Sequence, residues 1–179
     1  MYHTTTYPSP VGLLTLACDC DNLVGLWIEG QKYHGGSIRE TQIENSSKPA
    51  LIAAIRWLDR YFAGEKPAVS ELSLAPTGSE FRQRVLEILC GIPYGETVTY
   101  SCIAKRMAYN MGRASMSCRA VGGAVSHNPI SIIIPCHRVI GSKGNLVGYA
   151  GGIETKIKLL ELEGVDISGL YAPANVSHL

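Results

Sequence analysis

The spacing of apolar residues changes at Ala75-Pro-Thr-Gly78. Before this break they fall in short runs divided by turn residues; after it they recur every three or four positions. The two periods belong to strands and helices respectively. The chain therefore divides into a sheet-bearing domain at 1–76, a helical domain at 77–166 and a tail at 167–179. In the first domain, residues 12–17 and 23–28 are apolar runs around Cys18-Asp-Cys-Asp-Asn22, which supplies turn chemistry. They predict a small antiparallel sheet. Residues 32–47 are polar, contain glycine and read as loop. Pro49 suits the first turn of a helix, Leu51, Ile52, Ile55, Leu58 and Phe62 form one apolar face, and Gly64 suits its stop. Residues 68–74 alternate weakly, as a strand or an extended linker. The class of this domain is α/β.

In the second domain Thr77 and Glu80 have capping-box spacing ahead of the apolar face of Phe81, Val85, Ile88 and Leu89. Ile92-Pro-Tyr-Gly95 breaks that helix. Short helices near 101–108 and 116–125 follow. They form a helix-turn-helix-like pair with a long connection. Ile132-Ile-Ile-Pro135 reads as a buried extended run. Five glycines between 141 and 152 call for unusual backbone. A last helix at 154–163 turns Ile153, Ile157 and Leu160 inward and stops at Gly164, and 165–179 reads as a loosely held tail. The domain is mainly α.

Hydrophobic residues are 46% and charged residues 17% of the chain, which excludes a disordered polymer. The first ten residues have no apolar signal core, and no apolar run approaches the roughly 20 residues that span a bilayer. The expectation is a cytoplasmic, intracellular protein with no membrane partner. The net charge of +1 hides an asymmetry. Residues 79–164 carry ten Lys+Arg against six Glu, so the second domain is the one suited to a phosphate backbone. The six cysteines contain no Cys-x-x-Cys pair: Cys18 and Cys20 are two apart, and Cys90, Cys102, Cys118 and Cys136 are scattered. Reduced thiols, most of them small core residues, are expected, with no metal site.

One thiol stands apart. In Pro135-Cys-His-Arg-Val139 a cysteine is followed by an imidazole. A thiol is nucleophilic as its thiolate, and a free one has a pKa of about 8.5. An imidazole can take its proton, and a carboxylate can orient the imidazole. Adjacent residues of an extended segment point to opposite sides, so Cys136 and His137 need a kinked backbone or a bridging water to cooperate. For the pair alone, an inert core thiol beside a structural histidine is the commoner case.

Pro135-Cys-His-Arg-Val139, preceded by Arg119-Ala-Val-Gly-Gly-Ala124 and Asn128-Pro129 and followed by Gly148-Tyr-Ala-Gly-Gly152 and Leu162-Glu-Gly164, resembles the signature of the O6-alkylguanine-DNA alkyltransferases, in the family's order. The similarity is strong over 77–164 and rests on element order before it. It implies a ribonuclease-H-like first domain, a helix-turn-helix in the second, and single-turnover transfer of an alkyl group from O6-alkylguanine, and from O4-alkylthymine, in double-stranded DNA to Cys136. In this resemblance His137 is the base acting through water and Glu163 the carboxylate that orients it. Tyr100 contacts the flipped nucleotide and helps protonate the departing guanine, and Asn128 ties the recognition helix to the active-site segment. Arg119 fills the gap left in the duplex. Ala120, Gly122 and Gly123 let that helix approach a minor groove closely. Carbonyls of Cys136 and Val139, amides of Ala150 and Gly151, and Tyr149 form the base pocket. No cofactor is implied, and a monomer in a prokaryotic cytoplasm is expected. Two departures stand out: Ala150 occupies a position where many relatives have Ser, and 105–117 is longer than in many members. Two rival readings remain at this stage. A non-enzymatic DNA-binding regulator leaves Cys136, His137 and Glu163 unemployed, and a cysteine hydrolase would turn over repeatedly.

Overall fold

Three strands, β1 (Tyr2–Ser9), β2 (Gly12–Cys18) and β3 (Leu23–Ile28), run as an antiparallel meander. A short strand β4 (Gln42–Glu44) adds to the far edge, giving the order β3-β2-β1-β4. The computed structural model describes residues 1–172 except 20, 37 and 39–41; Cys20 and the tail residues 173–179 lie outside the described residues. The sheet is mixed rather than purely antiparallel, because β4 pairs parallel to β1, Tyr2 opposite Gln42. After β3 the chain crosses to the opposite edge before pairing, and a crossover of that kind returns a strand in the parallel sense. The polar 32–47 stretch is thus loop only in part. Strand β1 is rich in threonine, a good β former; Thr5 is buried and Thr6 exposed.

Every residue of β3 is buried. Leu23, Leu26 and Ile28 face the main core, and Val24 and Trp27 pack with Ala17 and Ile38 on the other side. Its outer edge is covered by two segments. Leu23 exchanges backbone hydrogen bonds with Ser73 and Ala75, and Leu26 with Pro129 and Ser131. The second exchange welds the sheet to the helical half, and it hides an edge that would otherwise invite pairing with another chain.

Helix α1 (Pro49–Phe62) has Pro at its start and Gly64 just past its end. Its buried stripe is Leu51, Ala54, Trp57, Leu58 and Tyr61, rotated from the expected face, so Ile52 is 37% exposed. Residues 68–74 contain a 3-10 turn (Val69–Glu71) and then the bridge of Leu74 to Leu23. Helix α2 (Glu80–Cys90) is capped by Ser79, whose hydroxyl accepts from the Arg82 amide, not by Thr77. Helices α3 (Tyr100–Asn110) and α4 (Cys118–Ser126) are capped in the same way by Thr99 and Ser117. Both α2 and α3 pack against α4. Strands β5 (Val98–Thr99) and β6 (Val139–Ile140) form a two-stranded parallel ribbon, Val98 opposite Val139. Helix α5 (Ile153–Leu162) closes the fold. One apolar cluster runs from Leu14 and Tyr61 of the first half to Val85, Val121, Cys136 and Leu159 of the second. The chain after α5 is pinned as far as it is described: Ile167 and Leu170 pack against Ile140, Leu146 and Leu160, and Tyr171 pairs with Asn145.

Candidate active site

Residues 131–135 are buried, as their sequence suggests, but they are not extended. Ile133 bonds back to Ser131 and Cys136 back to Ile134. The second closure wraps Pro135, at φ −80°, ψ 64°, into an inverse γ-turn. Ile132 sits at φ 69°, a left-handed conformation that a β-branched residue rarely adopts. These tight turns deliver Cys136 into a 3-10 turn (Cys136–Arg138), a kinked backbone in place of an extended one. Asn128, just past the end of α4, fixes the turn from within. Its amide nitrogen donates to the carbonyls of Ile130 and Ile134 and, at 3.1 Å, to Cys136 Sγ, while its oxygen accepts from the Ile130 amide. The Cys136 side is 3% exposed. Burial pushes its thiol up, against the Asn128 hydrogen bond and the charge of Lys156, which favour the thiolate.

Behind the sulfur lies Glu163, the C-cap of α5. Its sequence position suits a solvated helix end, yet the carboxylate is fully enclosed. His137 Nε2 donates to Oε1 at 2.7 Å and Tyr61 Oη to the same atom at 2.8 Å. Arg138 grips both oxygens through Nε and Nη2, and the Gly95 amide donates to Oε2. Burial pushes the Glu163 carboxyl up, but the bonds from His137 and Arg138 outweigh it and hold the carboxyl at about 2. An ionised carboxylate only accepts, so His137 must carry its proton on Nε2 and keep its lone pair on Nδ1. That Nδ1 is buried and has no protein partner. Burial lowers the imidazole's pKa against the pull of Glu163, so the ring is neutral and basic at one known atom.

Tyr100 follows β5 directly, and the β5–β6 pairing brings it beside the Cys136 segment. Its phenol donates to the carbonyls of Val147 and Gly148 at 3.3 and 3.4 Å. Burial, then the nearby Cys136 charge, pushes its pKa up to about 12. Gly148 has φ +81°, and a Cβ there would collide with Tyr100 Oη, so glycine suits this position. Val139 is fully buried, Ala150 and Gly151 are half-buried, and Tyr149 is 8% exposed with its ring edge-on to His137. The Tyr149 hydroxyl is a second buried polar atom without a protein partner. An open groove of about 830 Å³ runs over residues 148–155, walled by Ser126 and by Gly30, Lys32 and Tyr33 of the first half. Lys32 N donates to Ala150 O, and Tyr33 stacks on His127 at 4.0 Å.

Family models for 6-O-methylguanine DNA methyltransferase match this chain twice, the ribonuclease-like domain over residues 1–76 and the DNA-binding domain over 80–165. The chain belongs to the 6-O-methylguanine DNA methyltransferase family. A methylated-DNA–protein-cysteine methyltransferase of Mycobacterium leprae is 44% identical over 91% of this chain and 93% of its own length. One of Methanosarcina acetivorans is 44% identical over 92% and 99%. The crystal structure of Mycobacterium tuberculosis OGT in complex with DNA superposes with a TM-score of 0.77 at 42% identity, covering 90% of this chain and 92% of that one.

Within this methyltransferase family fold, the small-residue face of α4 is open. Arg119, Ala120 and Gly123 are exposed, and Gly122 is half-buried close to the Tyr100 ring. Arg119 stands on the first turn of α4. Three members of the buried network carried no assigned role in the sequence reading: Arg138, Tyr61 and Lys156. Arg138 lies inside the quoted motif. Tyr61 falls on the α1 stripe once that stripe is phased on Leu51 and Ala54. Lys156 stands seven residues before Glu163, two helical turns away on the same face, between inward-facing positions. Among the described residues no cluster of ligands for a metal ion occurs, and no helix is long and apolar enough to cross a membrane.

Proposed function

We propose that this chain repairs duplex DNA by moving an alkyl group from O6 of guanine, or O4 of thymine, to Cys136, once and irreversibly. The supporting observation is a cysteine beside a neutral imidazole whose Nε2 is fixed by an ionised carboxylate and whose Nδ1 has no protein partner. The thiol proton passes through a water to His137 Nδ1, and Glu163 steadies the imidazolium. The sulfur's electron pair forms the S–C bond, and the C–O6 bond breaks with its pair on the base. Tyr100 gives the departing base a proton and recovers one, through solvent, from His137. In sum the thiol proton is exchanged for the alkyl group. Amides of Ala150 and Gly151 donate to O6 as negative charge grows there, and carbonyls of Cys136 and Val139 accept from the guanine amino group. A carbonyl has two lone pairs, so Val139 can serve the base as well as Lys156. A thioether has no ready leaving route, which limits each molecule to one event and needs no dissociable cofactor.

The damaged base lies inside the stack and must be extruded. In this reading α3 and α4 act as a helix-turn-helix, Arg119 occupies the vacated position, and the long 105–117 connection reaches over the backbone. The first domain is ribonuclease-H-like, and the protein works as a cytoplasmic monomer, its buried network being complete within one chain. Because Cys136 is nearly covered, the purine enters only when Tyr100 releases the 148–152 segment. Its two hydrogen bonds there are long and weak, and Gly148 and Gly152 at positive φ can turn.

The test is exposure to a duplex carrying one O6-methylguanine, read by intact mass and peptide mapping. The protein gains one methylene unit, on Cys136, and stops at one equivalent. Cys136→Ala gains nothing yet still binds the duplex. No gain in the native protein would mean a regulator, and sustained turnover would mean a hydrolase; either rejects the proposal.

A further inference from the structure

A lysine seldom lies in the core of a small protein unless its charge is matched. Lys156 is 0% exposed, and its ammonium donates to two carbonyls, Val139 O and Val147 O. Those carbonyls belong to two different segments, the cysteine's own and the loop that leads into Gly148. Val139 begins β6, three residues after the cysteine. Val147 leads into the Gly148 turn and is the same carbonyl to which Tyr100 donates. One ammonium therefore ties the sulfur's own segment, the pocket loop and the Tyr100 phenol together.

The charges are the second observation. Arg138 and Glu163 cancel in a bidentate pair, and His137 is neutral. The bonds recorded for Lys156 are to uncharged carbonyls, so the enclosed group carries one cation in excess. Burial lowers the Lys156 ammonium to about 8 and the Cys136 charge opposes that shift, just as Lys156 opposes the rise that burial imposes on the Cys136 thiol. Moving the thiol proton to His137 leaves the imidazolium against Glu163 and the thiolate against Lys156. We infer that Lys156 is the counter-ion of the Cys136 thiolate and the clamp that holds its segment to the pocket loop. It is a positioning residue that acts through the sulfur and the loop, touching neither base nor alkyl group. This inference rests on Cys136 being the acceptor. The other titratable groups around that sulfur are His137, Tyr100 and Tyr149, with Glu163 and Arg138 behind them.

The experiment compares the full-length protein with Lys156→Met, which keeps the length and removes the charge, and with Lys156→Arg, which restores it. Cys136 is labelled with iodoacetamide across pH, and the labelled peptide is quantified by mass. In Lys156→Met the midpoint rises by at least about one pH unit, a tenfold loss of thiolate at neutral pH. Transfer from O6-methylguanine duplex slows by a similar factor and recovers as pH rises, while binding of undamaged duplex is unchanged. Lys156→Arg recovers part of both shifts. An unmoved labelling midpoint, whatever happens to thermal stability, leaves only a packing role and overturns the inference. Should Lys156→Met fail to fold, the question is read in folded protein by NMR titration of the Lys156 side chain. The native ammonium keeps its proton to higher pH than in Cys136→Ser, and identical titrations reject the pairing. If the native protein accepts no alkyl group at all, the proposed function falls separately, because labelling and titration report the ion pair without DNA.

Discussion

Glu163 receives five hydrogen bonds from four residues, two of them charged or chargeable partners. Removing its charge strands Arg138 in the interior, and breaking a buried pair in this way costs about 3 kcal/mol. Glu163→Gln should therefore lower the melting temperature and, by freeing the His137 tautomer, slow transfer more than it weakens duplex binding. Single-turnover rates beside binding isotherms check this; equal losses would mean a structural role alone. Acid should act through the same pair. His137 is held below its ordinary 6.5, so the unfolded chain binds its proton first and stability falls as pH drops below that value. Glu163 is depressed from 4.5 to about 2, so its contribution is complete above 4.5 and is lost as pH falls from there through about 2. Melting temperatures from pH 7 to pH 2 should decline in that order, and Glu163→Gln should flatten the lower limb. At this scale the motif residues were legible because Cys136, His137 and Asn128 are adjacent or nearly so in the chain. Tyr61 and Gly95 were not, since they meet Glu163 only after 102 and 68 residues of intervening chain fold back.

Among the elements, α1 to α5 announce themselves through apolar spacing, helped by proline at the start of α1 and by glycine just past the ends of α1 and α5. What escaped the sequence were elements whose reason lies elsewhere in the fold. Strand β4 has three residues and exists because the edge of β1 is free to pair. The 131–135 segment has strand composition, yet the Asn128 side chain and the β3 edge draw it into turns, so tertiary partners override local preference. Helix α4 offers the sharpest test at this level. Its exposed face is small residues plus Arg119, a poor core and a good surface for close approach to a duplex. Arg119→Ala should reduce repair of O6-methylguanine in duplex DNA by tenfold or more, about 1.4 kcal/mol, while leaving reaction with the free base nearly unchanged. Parallel rates on the two substrates decide it, and equal slowing would remove Arg119 from the gap. Gly148→Ala should impair both substrates alike, because its methyl group displaces Tyr100 from the loop.

For the molecule as a whole, the two halves share one apolar cluster and a backbone exchange between Leu26 and residues 129–131. The dependence of one half on the other was not legible, because contacts between distant segments leave no local period. The positive balance of residues 79–164 predicts that duplex binding weakens as salt rises, through release of counterions from the DNA. Affinity measured from low to physiological salt checks this, and a flat response would count against the backbone as the partner. The reach of Tyr61 into the far half has an engineering corollary. Its hydroxyl ends on Glu163, and the Lys32 peptide ends on Ala150. Chimaeras that graft a cousin's leading half onto this trailing one would thus exchange a phenol and an amide inside the reaction chamber, and such hybrids should be screened for rate as well as for folding.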